Sequence, residues 1–213
     1  MRRRVRAAAG AMALAAALVA ALAAAAPAPR ATETPHGTVS RMSFAVPELG
    51  DSSRAVRVYL PPSYDAGGPP RRYPVVFLLH GWPGSAANWF ELGRVPATAD
   101  SLIASGQIPE VILVCPDGNG TGLLGRSYWI DSWDGRRRFE SWLASGLVAW
   151  VDAHFHTRRV PAARAIIGLS DGALGAFNTV LRHPDVFGAA GGHSGDYQPR
   201  KGFGTGAIFG PDP

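Results

Sequence analysis

An α/β fold with a mostly parallel sheet flanked by helices is predicted by three observations along this chain. Three short apolar runs, Tyr73–Leu79, Val111–Cys115 and Arg164–Leu169, are continuous rather than alternating, as strands covered on both faces must be. Each ends in a polar, glycine-bearing segment: His80-Gly81-Trp82-Pro83-Gly84-Ser85, Pro116-Asp117-Gly118-Asn119-Gly120 and Ser170-Asp171-Gly172. Between them lie stretches of helical periodicity, and this alternation places the three loops together at the carboxyl edge of the sheet.

Taken in order, residues 27–37 hold three prolines and no periodicity, which predicts an exposed linker. Thr38–Val46 and Arg54–Leu60 alternate apolar with polar residues and read as an antiparallel pair at a sheet edge. Pro61 to Pro70 forbids helix and central strand alike, and is a loop. A short helix is expected over Pro96–Ser105. A longer one spans Phe139–Phe155, with Phe139, Trp142, Leu143, Gly146, Leu147, Trp150, Val151 and His154 as its core-facing stripe. Gly188–Gly192 is a fourth parallel strand, entered after His183-Pro184-Asp185 has stopped the preceding helix.

Ala165 to Phe177 organises the rest. A β-branched run enters Gly168-Leu169-Ser170-Asp171-Gly172, and a small-residue helix with Leu174, Phe177 and Leu181 on one face leaves it. Strand, Gly-x-Ser-x-Gly and helix in that order form the nucleophile elbow of an α/β-hydrolase, in which a strained turn presents a serine hydroxyl at the sheet edge. Ser170 is the predicted nucleophile. The backbone amides of Trp82 and Asp171 are the predicted oxyanion donors. Gly81, Trp129, Asp131 and His193 are candidate pocket residues. Trp82, Trp89, Tyr128, Trp129 and Trp133 could wall a pocket or simply pack, and Asp117, Asp131 and Asp134 could contact a ligand or brace loops. The Asp171 carboxylate would oppose oxyanion charge unless its side chain turns away.

The first 26 residues join a basic start, Met1-Arg2-Arg3-Arg4-Val5-Arg6, to an Ala/Leu/Val run ending in Ala24-Ala25-Ala26. This is the pattern of a cleaved secretory signal peptide, leaving one domain over 38–213 with no stable membrane insertion. Cleavage removes four arginines and no acids from a chain of 21 basic and 16 acidic side chains. The net charge then falls to +1, so no nucleic-acid partner is inferred. Arg136-Arg137-Arg138 reads as the solvated start of a helix. Cys115 is the sole cysteine; it lies in an apolar run, so it is expected to be buried and inert. No His/Asp/Glu grouping has metal-ligand spacing, and no cofactor is implied.

Tyr59-Leu60-Pro61-Pro62-Ser63-Tyr64, Tyr73 through Gly81, Cys115-Pro116-Asp117-Gly118, Phe139-Glu140, Gly168-Leu169-Ser170 and Arg182-His183-Pro184-Asp185-Val186-Phe187-Gly188 together resemble an esterase family. That family includes the esterase D-like enzymes, feruloyl and acetylxylan esterases and the secreted mycolyltransferases. The resemblance covers roughly residues 38–210 and implies a secreted, extracellular or cell-envelope serine carboxylic-ester hydrolase. It would act through a Ser170 acyl-enzyme on a small-molecule or polysaccharide-linked ester. An acyltransferase of the mycolyltransferase type is the alternative. The family carries Met-Gly-Gly after the serine, where this chain has Asp171-Gly172-Ala173. Its triad acid and histidine follow later strands, whereas only His183 and His193 follow Ser170 here. The sequence therefore reads as truncated, lacking the last strands, and a non-catalytic secreted binding or antigenic protein is the third reading.

Overall fold

The computed structural model describes residues 35–65, 67, 71–120, 125–195, 197 and 206–210. The leader and most of the 27–37 linker lie outside the described residues. The end of that linker is tied down: the Gly37 amide donates to Asp100 Oδ1 at 2.8 Å, and the Tyr59 hydroxyl reaches the same oxygen at 2.7 Å. No helix among the described residues is long and apolar enough to cross a membrane.

Six strands form one sheet: β1 (Thr38–Val46), β2 (Asp51–Leu60), β3 (Val75–Leu79), β4 (Ile112–Pro116), β5 (Arg164–Leu169) and β6 (Ala189–His193), in the order β1-β2-β4-β3-β5-β6. β1 and β2 are antiparallel, and β2 joins β4 antiparallel; β4, β3, β5 and β6 are mutually parallel. The expected edge pair and the four parallel strands are therefore all present. β2 begins three residues earlier than the alternation showed.

Successive strand residues serve opposite faces. Val75, Phe77, Leu79, Ile112, Val114 and Ile166 face one core, whereas Leu78, Leu113 and Cys115 face another. Helix α1 (Val95–Ala104) covers the second face. The first is covered by α2 and α3. Helix α2 runs through Phe139–Ser141, a wide π segment Trp142–Leu147, and Val148–His154, and α3 is Asp171–Arg182. A four-residue helix, α4, follows at Gly206–Phe209.

The buried faces of α2 and α3 are built from different residue types. In α2, Phe139, Trp142, Leu143 and Leu147 are buried as predicted. Val151 is buried as predicted too, and after the π segment Val148 joins it at the core. Trp150 is partly buried against the same core, stacked on Phe44 at 4.5 Å, whereas His154 is exposed. In α3 the Leu174, Phe177 and Leu181 face turns outward, Leu181 being 79% exposed. The buried face is Asp171, Gly172, Ala173, Gly175, Ala176 and Thr179. Small residues prevail there because the helix lies hard against the sheet: a Cβ on Gly172 would stand 2.8 Å from the His80 carbonyl oxygen.

The carboxyl-edge loops are cross-braced. Arg54 Nη1 donates to the carbonyls of Asp117 and Asn119 at 2.7 and 3.0 Å. Burial opposes the Asp117 charge, but surrounding polar groups outweigh it and hold the carboxyl below its usual range. His80 Nε2, 3.8 Å away, already accepts from the Gly118 amide. The Asn119 amide, at 2.9 Å, and Arg54 are the groups that favour the Asp117 carboxylate.

Gly172→Ala is expected to destabilise the fold by about 1–3 kcal/mol through overpacking, read from urea denaturation; an unchanged midpoint would contradict the close approach. Asp117 supplies a pH-dependent test. A carboxyl held below its unfolded value of about 3.9 stabilises the fold above that pH, and the contribution is lost as pH falls through the folded value. Asp117→Asn should therefore lower stability at pH 7, and its deficit should shrink as both proteins are titrated towards pH 3.

Candidate functional site

Ser170 stands where β5 becomes α3, with φ 55° and ψ −118°. A non-glycine residue held there carries about 1–3 kcal/mol of strain, so neighbouring contacts must impose it. The Ser170 amide donates to the His193 carbonyl at 3.0 Å, and the Ser170 carbonyl accepts from the Ala173 amide at 2.9 Å. On either side, a Cβ on Gly168 would overlap the Gly172 carbonyl, so strand and helix close on each other only because both residues are glycine. The hydroxyl-bearing residue is left half-buried at the carboxyl edge.

The loop after β3 meets this turn. A Cβ on Gly81 would lie 3.0 Å from Ser170 Cβ and 3.7 Å from its Oγ. The backbone carbonyls of the segment are held by side-chain donors. Leu79 O accepts from Trp89 Nε1 at 3.0 Å, and His80 O from Trp129 Nε1 at 2.9 Å. Gly84 O accepts from Asn119 Nδ2 at 2.6 Å. His80, 2% exposed, uses both ring nitrogens: Nε2 accepts from the Gly118 amide at 2.9 Å, so the proton sits on Nδ1, which donates to Gly81 O at 2.9 Å. Among the described residues no hydrogen bond engages the Trp82 amide. Asp171 opens α3, so its amide has no carbonyl one turn back.

The Asp171 carboxylate is shielded from solvent in the lining of the pocket between the β3 loop and the loop after β4, and it is paired. Arg126 Nε and Nη2 donate to its two oxygens, both at 2.6 Å, and the Asp171 side chain is 3% exposed. The same guanidinium lies 5.4 Å from the Trp82 ring centroid and 4.1 Å from that of Tyr128.

The remaining candidates fall into place around this centre. Trp129 is 1% exposed and forms the floor beneath the β3 loop, with its indole filling the space a Cβ on Gly118 would need. Trp82 and Trp133 are exposed, Trp89 is partly buried and Tyr128 is buried. Asp131 caps α2, accepting from the Ser141 amide at 3.0 Å and hydroxyl at 2.5 Å. Asp134 braces its own turn through Ser132 Oγ and the Arg136 amide. His193 contributes its carbonyl to the elbow, and its exposed ring meets Ser194 Oγ at 2.9 Å. His183 is engaged with Glu140 at the far end of α3. Cys115 is fully buried, and burial pushes its thiol well above the usual range. Among the described residues no group of three His, Cys, Asp or Glu side chains is placed to hold a metal.

Sequence reasoning missed the part played by Arg126 and the double bracing by His80. Arg126 carries no motif, and only the unusual acid at position 171 hinted that a cation must lie near it.

Residues 48–211 match the model of a family described as Putative esterase. An endo-1,4-beta-xylanase/feruloyl esterase of Xylanibacter ruminicola is 32% identical over 78% of this chain and 23% of its own length. A protein named as an esterase in Mycobacterium tuberculosis is 32% identical over 70% of this chain and 30% of its own. Among solved structures, a ferulic acid esterase superposes with a TM-score of 0.69 at 31% identity, covering 75% of this chain and 60% of that one. The chain thus spans less than a third of the length of these two curated relatives. With the elbow, the β3 loop and the sheet order in agreement, the chain belongs to this esterase family and has the α/β-hydrolase fold.

Proposed function

We propose that the protein is a secreted serine carboxylic-ester hydrolase in which Ser170 forms an acyl-enzyme. The observation that carries the reading is the close approach of Gly81 to Ser170 at the end of the elbow strand, which supports the Trp82 and Asp171 amides as the oxyanion donors. Ser170 Oγ attacks the ester carbonyl carbon while its proton passes to a base. The carbonyl oxygen gains the negative charge, and the two amides stabilise it. The alkoxide then leaves with a proton, and water repeats the sequence on the acyl-enzyme.

His193 is the candidate base among the described residues, since it ends the neighbouring parallel strand on the same edge. Its ring is engaged with a hydroxyl rather than a carboxylate. Reactivity that rests mainly on the oxyanion donors and binding would be about 10³–10⁴-fold above water. The names of the relatives favour a small-molecule or polysaccharide-linked ester as substrate, feruloyl esters among them. The basic, apolar, small-residue order of residues 1–26 supports export.

Two outcomes are expected. A fluorophosphonate probe should label the parent protein at Ser170, located by peptide mass, and Ser170→Ala should abolish labelling without changing the thermal transition; labelling elsewhere would refute the assignment. On expression in an exporting bacterium, the protein recovered outside the cytoplasm should have the mass of a chain lacking the leader through the Ala24–Ala26 triplet. Recovery only as the intact 213-residue chain in the membrane fraction would contradict export and cleavage.

A further inference from the structure

We infer that Arg126 is a positioning residue for the oxyanion donors, acting through an electrostatic clamp that joins the elbow, the β3 loop and the loop after β4. The inference rests on Ser170 being the nucleophile. The residue after a catalytic serine lends its amide to the oxyanion, and here that residue carries a carboxylate. A negative charge so close to a developing negative charge acts against catalysis, and burial strengthens the repulsion by excluding water.

Arg126 answers both problems from one position. Its bidentate bonds at 2.6 Å hold the Asp171 carboxylate in the fork geometry that best delocalises the charge. The pairing also fixes the first residue of α3, and hence its amide. The guanidinium lies against Trp82, whose amide is the second donor, and against the buried ring of Tyr128. Arg126 is joined in sequence to Ser127, whose hydroxyl donates to the Gly118 carbonyl at 2.6 Å; the Gly118 amide in turn bonds His80. One cation therefore touches the side chains of both donor residues and belongs to the loop that braces the β3 turn. An ordinary surface ion pair has none of these attachments. Asp171 is 2% exposed as a residue, and the pair is placed where the reaction would feel its balance of charge.

The sign of the effect separates this role from a merely structural one. Arg126→Gln leaves the carboxylate uncompensated beside the oxyanion, and should slow phosphonylation of Ser170 by about ten- to a hundredfold. The double variant Arg126→Gln/Asp171→Asn removes both charges while keeping hydrogen-bonding groups. It should recover much of that loss, because the antagonistic charge is gone. If the pair only stabilised the fold, loss and recovery would appear in the thermal transitions, and the folded variants would label at the parent's rate.

The experiment is the second-order rate of fluorophosphonate labelling at Ser170 for the parent, Arg126→Gln, Asp171→Asn and the double variant. Thermal transitions identify any variant that fails to fold, and Arg126→Lys serves as the folded alternative. Lys keeps the charge but loses the fork, so its rate should lie between the parent and Arg126→Gln. Recovery in the double variant supports the clamp. Equal rates for the parent and Arg126→Gln, or a double variant no faster than Arg126→Gln, overturn it while leaving the nucleophile assignment intact. A parent that does not label at Ser170 overturns the nucleophile assignment, and the clamp with it.

Discussion

The close approach of α3 to the carboxyl ends of β3 and β5 is the constraint on which the site depends. Gly168 and Gly172 have no room for a side chain, and the carbonyls of Leu79 and His80 lie against the start of the helix. Once strand and helix meet at that distance, the residue between them has little choice of backbone. Ser170 takes φ 55° because the turn leaves no other path. The strain is offset by the contacts of a whole helix face rather than by any single bond, which explains why Ala173 and Ala176 beneath it are wholly buried.

Buried charges around this centre each tie distant elements together, and each is paired. Glu140 on α2, 5% exposed, accepts from Asn178, Arg182 and His183 at the end of α3. Asp152 accepts from the Arg164 guanidinium at the start of β5. The first registers α2 on α3 and the second registers α2 on the sheet, and breaking either would leave a charge without its partner in a poorly solvated place. The Arg126–Asp171 pair follows the same logic at the opposite end of α3. Here the carboxylate belongs to the residue that follows Ser170, so the pair ties the elbow to the loop after β4.

The fold was legible because its signals are local. β5 runs over Arg164–Leu169 as its apolar run predicted, and β1 over Thr38–Val46 as its alternation predicted. Ser170 was legible from five residues. What sequence could not show are properties of packing distance. Leu174, Phe177 and Leu181 share a face of α3 as their spacing showed, but sequence could not show that the buried face is the one made of Asp171, glycine, alanine and threonine. Trp129, a candidate pocket residue, lines the pocket between the β3 loop and the loop after β4, but sequence could not show that it does so as a buried floor whose indole N–H serves the His80 carbonyl. Arg126 was hidden because an ion pair spanning 45 residues leaves no pattern in either segment.

The β3 loop shows how a glycine-rich segment is held in place without a regular element. At the end of β3 the sheet no longer supplies partners, and the carbonyls of Leu79, His80, Gly81 and Gly84 would be left to water. Two indoles, one imidazole and one carboxamide take them instead. Because peptide units are planar, fixing a carbonyl fixes the direction of the following N–H. Anchoring these oxygens with side chains drawn from three different segments therefore aims the amides of the loop without spending them. Amides orientated in advance cost no reorganisation when an acceptor arrives, which is the property that the proposed oxyanion site would require.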